Sequence, residues 1–431
     1  MRIRGIALFA VLLTAAHAFG GDGRIHHVTE KVPNSYIVFL ERGVNANAIA
    51  PELANAHGGR VEAVMEHLGM LSMTLGSETA AENIARDPRV ASVQEDAILH
   101  PASCRQLAAD GSQWSLAHLN NTNQTTHFGA YLGSGLSSVR VYVIDSAVNS
   151  ATTSSDFVTN GTSKVKVGAN YAPTTTCGTG LPPGDGRGPI LAGGKQFDHG
   201  GEVASLIAGN IHGVVPEVSS ITSVIAVSDY GCINDTSLTQ SANWVIGNHQ
   251  HLVDLYGTSI PAVVNVSIEF KGSDPAFDAA MKSMVDGGIF VVAAAGNDST
   301  DACTISPAEL HGPTGYPGFL VVGATSTTGG MEPYSNRGNC VDVWAPGGDY
   351  YDRVAVVNGA DYGTSFAAPD AAGAAIVILS QRPLWSPGSV WSTLKQTYTI
   401  SASGMLNLHI PDACADPQIN LCTTVVCPGS Q

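Results

Sequence analysis

What most constrains the fold of this chain is a set of short, mainly apolar runs, each ending abruptly in a polar or glycine-containing turn. The strand-like run Val139 to Ile144, apolar but for Arg140, ends in Asp145-Ser146, and the apolar run Ile289 to Ala295 ends in Gly296-Asn297. Runs of this kind, apolar at consecutive positions rather than every second one, describe strands buried on both faces, as in a parallel sheet covered by helices. Helical stripes lie between them. Val203, Ala204, Ile207 and Ala208 share one face of the stretch from Glu202 to Ala208, which stops at Gly209-Asn210. Phe366 to Leu379 is rich in alanine, with Pro369 expected in its first turn, where the missing N–H costs nothing. A charged fraction of only 13% agrees with a compact α/β fold. In open sheets of this type ligands gather at the carboxyl ends of the strands, so the residues just past each run are where chemistry is expected.

Four segments occupy such positions, in the order carboxylate, imidazole, amide, hydroxyl: Val143-Ile144-Asp145-Ser146, Asp198-His199-Gly200-Gly201, Ala294-Ala295-Gly296-Asn297 and Gly363-Thr364-Ser365-Phe366-Ala367-Ala368-Pro369. These are the groups that acyl transfer needs. A serine hydroxyl is a poor nucleophile until a base takes its proton, and the imidazolium so formed needs a buried carboxylate to hold its tautomer and charge. Ser365, His199 and Asp145 are the candidates, with His199 and Ser365 each opening a helix, and the Asn297 side-chain amide is the candidate oxyanion donor. Taken singly, an Asp after a strand is usually a turn or cap residue and Gly-Thr-Ser is commonplace. Their joint order raises them above that reading. Asp198 is adjacent in sequence to the histidine, badly placed to reach the far imidazole nitrogen, and is read as structural.

At these residues the chain resembles the subtilisin-like serine proteases of the proteinase K and aqualysin type, over roughly residues 34 to 400, and the Asp, His, Ser order is the one that fold uses. Further matches fall in family order: Val264-Asn265-Val266-Ser267, Ser306-Pro307-Ala308, Val321-Val322-Gly323-Ala324, Tyr334-Ser335-Asn336 and Val341-Asp342-Val343-Trp344-Ala345-Pro346-Gly347. The resemblance implies a three-layer α/β/α catalytic domain over 105–400 with a mostly parallel sheet, and a serine endopeptidase that works through an acyl-enzyme. It implies a substrate site lined by Ser267, Ile268, Glu269, Ala294, Ala295 and Gly296. It also implies disulfides Cys177 to Cys232 and Cys303 to Cys340. Spacing alone gives no connectivity, and Cys104, Cys414, Cys422 and Cys427 stay unassigned. A zinc site is the competing use of cysteine, but no Cys-x-x-Cys or His-rich partner supports it.

Residues 34–100 resemble the inhibitor-type propeptide of the family. Tyr36 to Leu40, Met70 to Leu75 and Val90 to Asp96 read as strands, and Asn47 to His57 and Glu78 to Arg86 as helices, a ferredoxin-like α+β pattern. Such a domain templates a slow-folding parallel sheet and blocks the cleft until removed, which the resemblance places between His100 and Ala109. Residues 1–18, with Arg2 and Arg4, an apolar run from Ile6 to Ala15 and Ala16-His17-Ala18, read as a secretory signal too short to span a bilayer, and the mature chain is expected to be exported and soluble. The formal charge of −16 argues against nucleic acid and anionic membranes as partners; the resemblance implies protein or peptide substrates, with the chain's own propeptide as inhibitor. Residues 401–431 read as a short Cys-bearing tail without periodicity.

Departures from the family pattern are informative. Asp145-Ser146-Ala147 lacks the usual glycine, and His199-Gly200-Gly201 lacks the usual hydroxyl. Ser267-Ile268-Glu269-Phe270 stands where the family has Ser-Leu-Gly-Gly. There Glu269 either narrows the primary pocket, recruits a basic side chain or turns to solvent, and altered specificity is expected. Asp370 replaces a His and changes a buried partner. No cofactor is expected for the chemistry. Structural calcium is implied by family but weakly supported: Thr325 to Gly330 lacks the acidic residue several relatives carry there, with Gly184-Asp185-Gly186 as another loop to consider. The readings that compete with a protease are a catalytically silent binding protein on the same fold, and an esterase using the same triad.

Overall fold

The computed structural model describes residues 25–27, 31–41, 43–66, 69–97, 102–108, 111–120, 127–148, 153–174, 198–228, 231–256, 260–311, 316–402 and 404–411. The chain forms two compact units, Met1–Leu99 and His100–Gln431.

The first unit contains β1 (Ile25–His26), β2 (Lys31–Leu40), α1 (Ala46–His57), β3 (Arg60–Met65), β4 (Met70–Thr74), α2 (Glu78–Ala85) and β5 (Val90–Ala97). Its sheet runs β1-β5-β2-β4-β3, antiparallel except for β1 on β5. The βαββαβ ferredoxin-like pattern expected from the sequence includes a strand at β3, but the sequence reading assigns no residues to it. Its side chains are mostly exposed, so it lacks the apolar alternation that marks a half-buried strand. Both helices start on side-chain caps, with Asn45 accepting from the N–H of Ala48 and Ser77 from that of Ala80.

The second unit is built on β6 (Arg140–Ser146), β7 (Val165–Asn170), α3 (His199–Ala208), β8 (Ile221–Val227), α4 (Asp235–Tyr256), β9 (Ala262–Val266), α5 (Pro275–Asp286), β10 (Phe290–Ala294), β11 (Phe319–Thr325), β12 (Val343–Pro346), α6 (Thr364–Gln381), α7 (Pro387–Thr397), β13 (Thr399–Ala402) and β14 (Met405–Leu408). The sheet order is β7-β8-β6-β9-β10-β11-β12-β14-β13, parallel throughout except for the closing pair β13–β14. Successive strand residues point to opposite faces, and both faces are buried. Val141, Val143, Val292 and Val322 join one core with Ala204 and Ile207 of α3 and Ala371 and Ile378 of α6. Tyr142, Ile144, Val291 and Val321 join the other with Leu238 and Val245 of α4 and Phe277 and Met281 of α5. The result is an α/β/α sandwich, which is why the central strands read as mainly apolar runs.

One boundary differs from the sequence reading. β13 and β14 extend the sheet through pairing of Asn407 with Trp344, so part of the segment 401–431 read as a tail belongs to the fold; strands of four residues are too short to show a period. Residues 412–431 lie outside the described residues, as do the signal segment and the loop holding Asp185. Among the described residues no helix is long and apolar enough to cross a membrane.

Candidate active site

Strand alternation decides where Asp145 points. Val143 faces the α3–α6 layer and Ile144 the opposite one, so Asp145, next in line at the carboxyl end of β6, faces α3 and α6. Its carboxylate is 1% exposed, and Nδ1 of His199 lies 2.8 and 2.9 Å from its two oxygens. Oδ1 also accepts the N–H of Ser146 at 2.6 Å. His199 is the first residue of α3, and the turn after it is laid directly on the end of β6. The N–H of Gly200 donates to Oγ of Ser146 at 2.9 Å, and a Cβ on Gly200 would collide with the Ser146 carbonyl oxygen. The glycine after the histidine is therefore what lets the imidazole reach the carboxylate. Asp198 points elsewhere: it accepts from Nδ2 of Asn358 at 3.3 Å and occupies the space a side chain on Gly201 would need, which accounts for glycine there in place of a hydroxyl residue.

Ser365 is the second residue of α6, 8% exposed, and its hydroxyl donates to the Ser267 carbonyl at 3.4 Å. The ring of Phe366, next in the helix, meets the His199 imidazole edge-on at 5.6 Å between centroids. The helix begins at Thr364, earlier than the alanine run suggests, so Pro369 falls inside it rather than in its first turn. A proline there has no N–H to give to the carbonyl four residues back, which is that of Ser365. Ser267 supplies the missing donor, with its Oγ 2.9 Å from the Ser365 carbonyl oxygen, and it receives in turn from Nδ2 of the fully buried Asn265 at 2.9 Å. A polar chain running from β9 thus holds the backbone of Ser365.

Asn297 lies just past β10. Its side-chain carbonyl accepts both the N–H of Thr364 at 2.9 Å and the Thr364 hydroxyl at 3.0 Å, which fixes the amide's orientation and turns its NH2 end the other way. Asn336 staples the same loop: Nδ2 donates to the Ala295 carbonyl, Oδ1 accepts from the N–H groups of Asp298 and Thr300, and its own N–H donates to the Gly296 carbonyl. Ala294 and Ala295 are buried beneath. Glu269 does not turn to solvent. It is half-buried, and its carboxylate oxygens lie 3.2 and 3.4 Å from the N–H of Asn297. Ile268 beside it packs on the α4–α5 core.

Asn265, Thr364 and Asn336 carry supporting roles that the sequence reading did not assign, although each sits in a quoted motif. The available signal was polarity out of place: Asn265 interrupts the apolar run of β9. Cys303 and Cys340 form a disulfide with Cα atoms 5.2 Å apart. Cys232 is disulfide-bonded, whereas Cys177 and the tail cysteines lie outside the described residues.

The loop from Thr325 to Gly330 does not fit calcium. It closes on itself through the N–H of Ser326 and the Gly330 carbonyl at 2.8 Å, and its side-chain oxygens are hydroxyls bonded to each other, Ser326 to Thr328 at 2.9 Å. Among the described residues one group gathers three metal-type ligand atoms within 4.8 Å, His27, Glu78 and Glu95, and it lies in the first unit.

Residues 192–412, which carry His199, Asn297 and Ser365, match the subtilase family. The chain belongs to that family. It is 27% identical over 400 residues to subtilisin E of Bacillus subtilis (strain 168), covering 91% of this chain and 92% of the relative. It is 34% identical over 218 residues to the extracellular serine proteinase of Thermus sp. (strain Rt41A), covering 49% of each. The crystal structure of a cold adapted subtilisin-like serine proteinase superposes with a TM-score of 0.52 at 25% identity, over 69% of this chain and 97% of that one. This subtilase is a serine endopeptidase with the subtilisin-like three-layer fold, and catalysis in the family needs no cofactor.

Proposed function

We propose that this subtilase is a secreted endopeptidase made as a self-processing precursor, with Ser365 as nucleophile, His199 as general base and acid, Asp145 as the orienting carboxylate and Asn297 as oxyanion donor. The observation that carries the reading is the clasp of His199 Nδ1 by both oxygens of a buried carboxylate, beside the helix start that bears Ser365. With Nδ1–H given to Asp145, the other imidazole nitrogen is the basic one. It takes the Ser365 proton as Oγ bonds to the scissile carbonyl carbon. The carbonyl oxygen becomes an anion met by the Asn297 NH2 and by the N-terminal end of α6. His199 then gives its proton to the leaving amine as the C–N bond breaks, and water repeats the sequence on the acyl-enzyme.

In this reading residues 1–18 direct export and residues 34–100 fold as the inhibitory propeptide, with cleavage between His100 and Ala109. The α+β topology of the first unit supports that assignment, and protein or peptide chains are the substrates. The test is to incubate the refolded precursor, sequence the N-termini that appear, and compare Ser365→Ala. Processing in the parent and none in the variant is expected. Equal processing in both refutes the nucleophile. Matched amide and ester substrates then distinguish a peptidase from an esterase.

A further inference from the structure

We infer that Glu269 spans and closes the primary substrate pocket, so that this enzyme selects a small residue, glycine, alanine or serine, immediately before the scissile bond. This inference rests on the proposed active site, because it uses the roles of Ser365, His199 and Asn297.

Those roles fix the side on which that residue lies. His199 gives its proton to the leaving amine, so the leaving half of the substrate lies beside the imidazole. The acyl half extends the other way from Ser365, toward Asn297 and toward Ser267, whose carbonyl accepts from the Ser365 hydroxyl at 3.4 Å. β9 and β10 are neighbours in the sheet, with Val266 beside Ala293. The segments that leave their carboxyl ends, 267–270 and 294–297, therefore border one space.

Glu269 crosses it. Its side chain starts on the first segment and its carboxylate ends on the second, 3.2 Å from the Asn297 N–H. The carboxylate also lies against Gly296, which has φ +100 and where any Cβ would collide with Oε2. Both segments are pinned. Phe270 donates its N–H to the Ser306 carbonyl at 2.8 Å and Ile268 packs on the α4–α5 core, while Asn336 bonds the carbonyls of Ala295 and Gly296.

The glutamate side chain thus takes up the depth that a large substrate side chain needs. A leucine, phenylalanine or arginine enters only if the carboxylate leaves the Asn297 N–H, and a hydrogen bond to a charged acceptor is lost with it. Alanine and serine end one or two atoms past their Cα. Glu269 is therefore a specificity-determining residue that acts through the room it occupies rather than through its charge.

The experiment compares processed wild type, Glu269→Ala and Glu269→Gln on peptide anilides that differ only in the residue before the scissile bond: Ala, Ser, Leu, Phe or Arg. Wild type is expected to favour Ala and Ser over Leu, Phe and Arg by about ten- to a hundredfold in kcat/KM. Glu269→Ala should raise the Phe-to-Ala ratio about tenfold or more, whereas Glu269→Gln, which keeps the length, should hold the preference for small residues. Peptide aldehydes ending in Ala should inhibit wild type more tightly than those ending in Phe, a comparison that needs no variant to fold. A wild type that prefers Leu, Phe or Arg, or a Phe-to-Ala ratio unmoved in Glu269→Ala, overturns the inference and leaves the peptidase reading standing. Absence of Ser365-dependent cleavage of every substrate overturns both.

Discussion

Asp370 is buried in α6 with no exposed surface, and neither of its oxygens has a hydrogen-bond partner among the described residues. Burial alone pushes its carboxyl well above the ordinary carboxylate range. The folded state therefore holds this proton more tightly than the unfolded chain does. The stability this contributes is complete below the unfolded value of about 3.9. It is lost progressively as pH rises toward the folded value, at about 1.4 kcal/mol per pH unit for one proton. Replacing the group by an isosteric amide, Asp370→Asn, removes the titration and keeps the shape. The stability of Asn minus that of Asp should accordingly grow by about 1.4 kcal/mol per pH unit from about pH 4 upward and level off where the folded carboxyl finally ionises. The comparison belongs in a Ser365→Ala background, so that autolysis does not enter, with urea unfolding at each half pH unit between 4.5 and 8. Trp114, Trp244, Trp344, Trp385 and Trp391 are the only tryptophans and all lie in the second unit, so tryptophan fluorescence reports on the unit that holds Asp370. A difference between the two proteins that stays flat with pH refutes the claim that this carboxyl is neutral and unpartnered in the fold.

Asn297→Ala should lower kcat by about a hundred- to a thousandfold with little change in KM, the loss known for a subtilisin whose oxyanion asparagine is removed; steady-state kinetics on one anilide substrate check it. Ser267→Ala leaves the Ser365 carbonyl without the donor that stands in for the missing N–H of Pro369. It should cost about 1–3 kcal/mol of unfolding free energy and lower kcat more than KM, which urea unfolding and kinetics separate. Cys303→Ser opens a loop of 37 residues and should cost about 3.8 kcal/mol by loop-closure entropy, seen as a lower urea midpoint that reduction of the parent at least matches.

The α/β class, the buried strands and the sites where chemistry collects were legible because each depends on residues close in sequence. Runs apolar at consecutive positions demand a sheet covered on both faces, and the residues just past each run must lie at a strand end. That reasoning placed Asp145 on β6 and His199 and Ser365 at helix starts. The first residue of α6 was not legible, because a proline in the second turn normally argues against a continuous helix, and a serine about a hundred residues earlier supplies the missing hydrogen bond. Strand β3, the sheet edge at β13 and β14, and the structural roles of Asn265, Thr364 and Asn336 were hidden for similar reasons.

The sequence by itself determined the order of the chemical groups, the layered fold and the residue types at the cleft. Only the tertiary structure decided that Glu269 turns toward Asn297 rather than to solvent, and that Asp370 finds no partner among the described residues. Backbone periodicity is set by neighbours along the chain, whereas the direction and pairing of a polar side chain depend on the register between segments far apart in it.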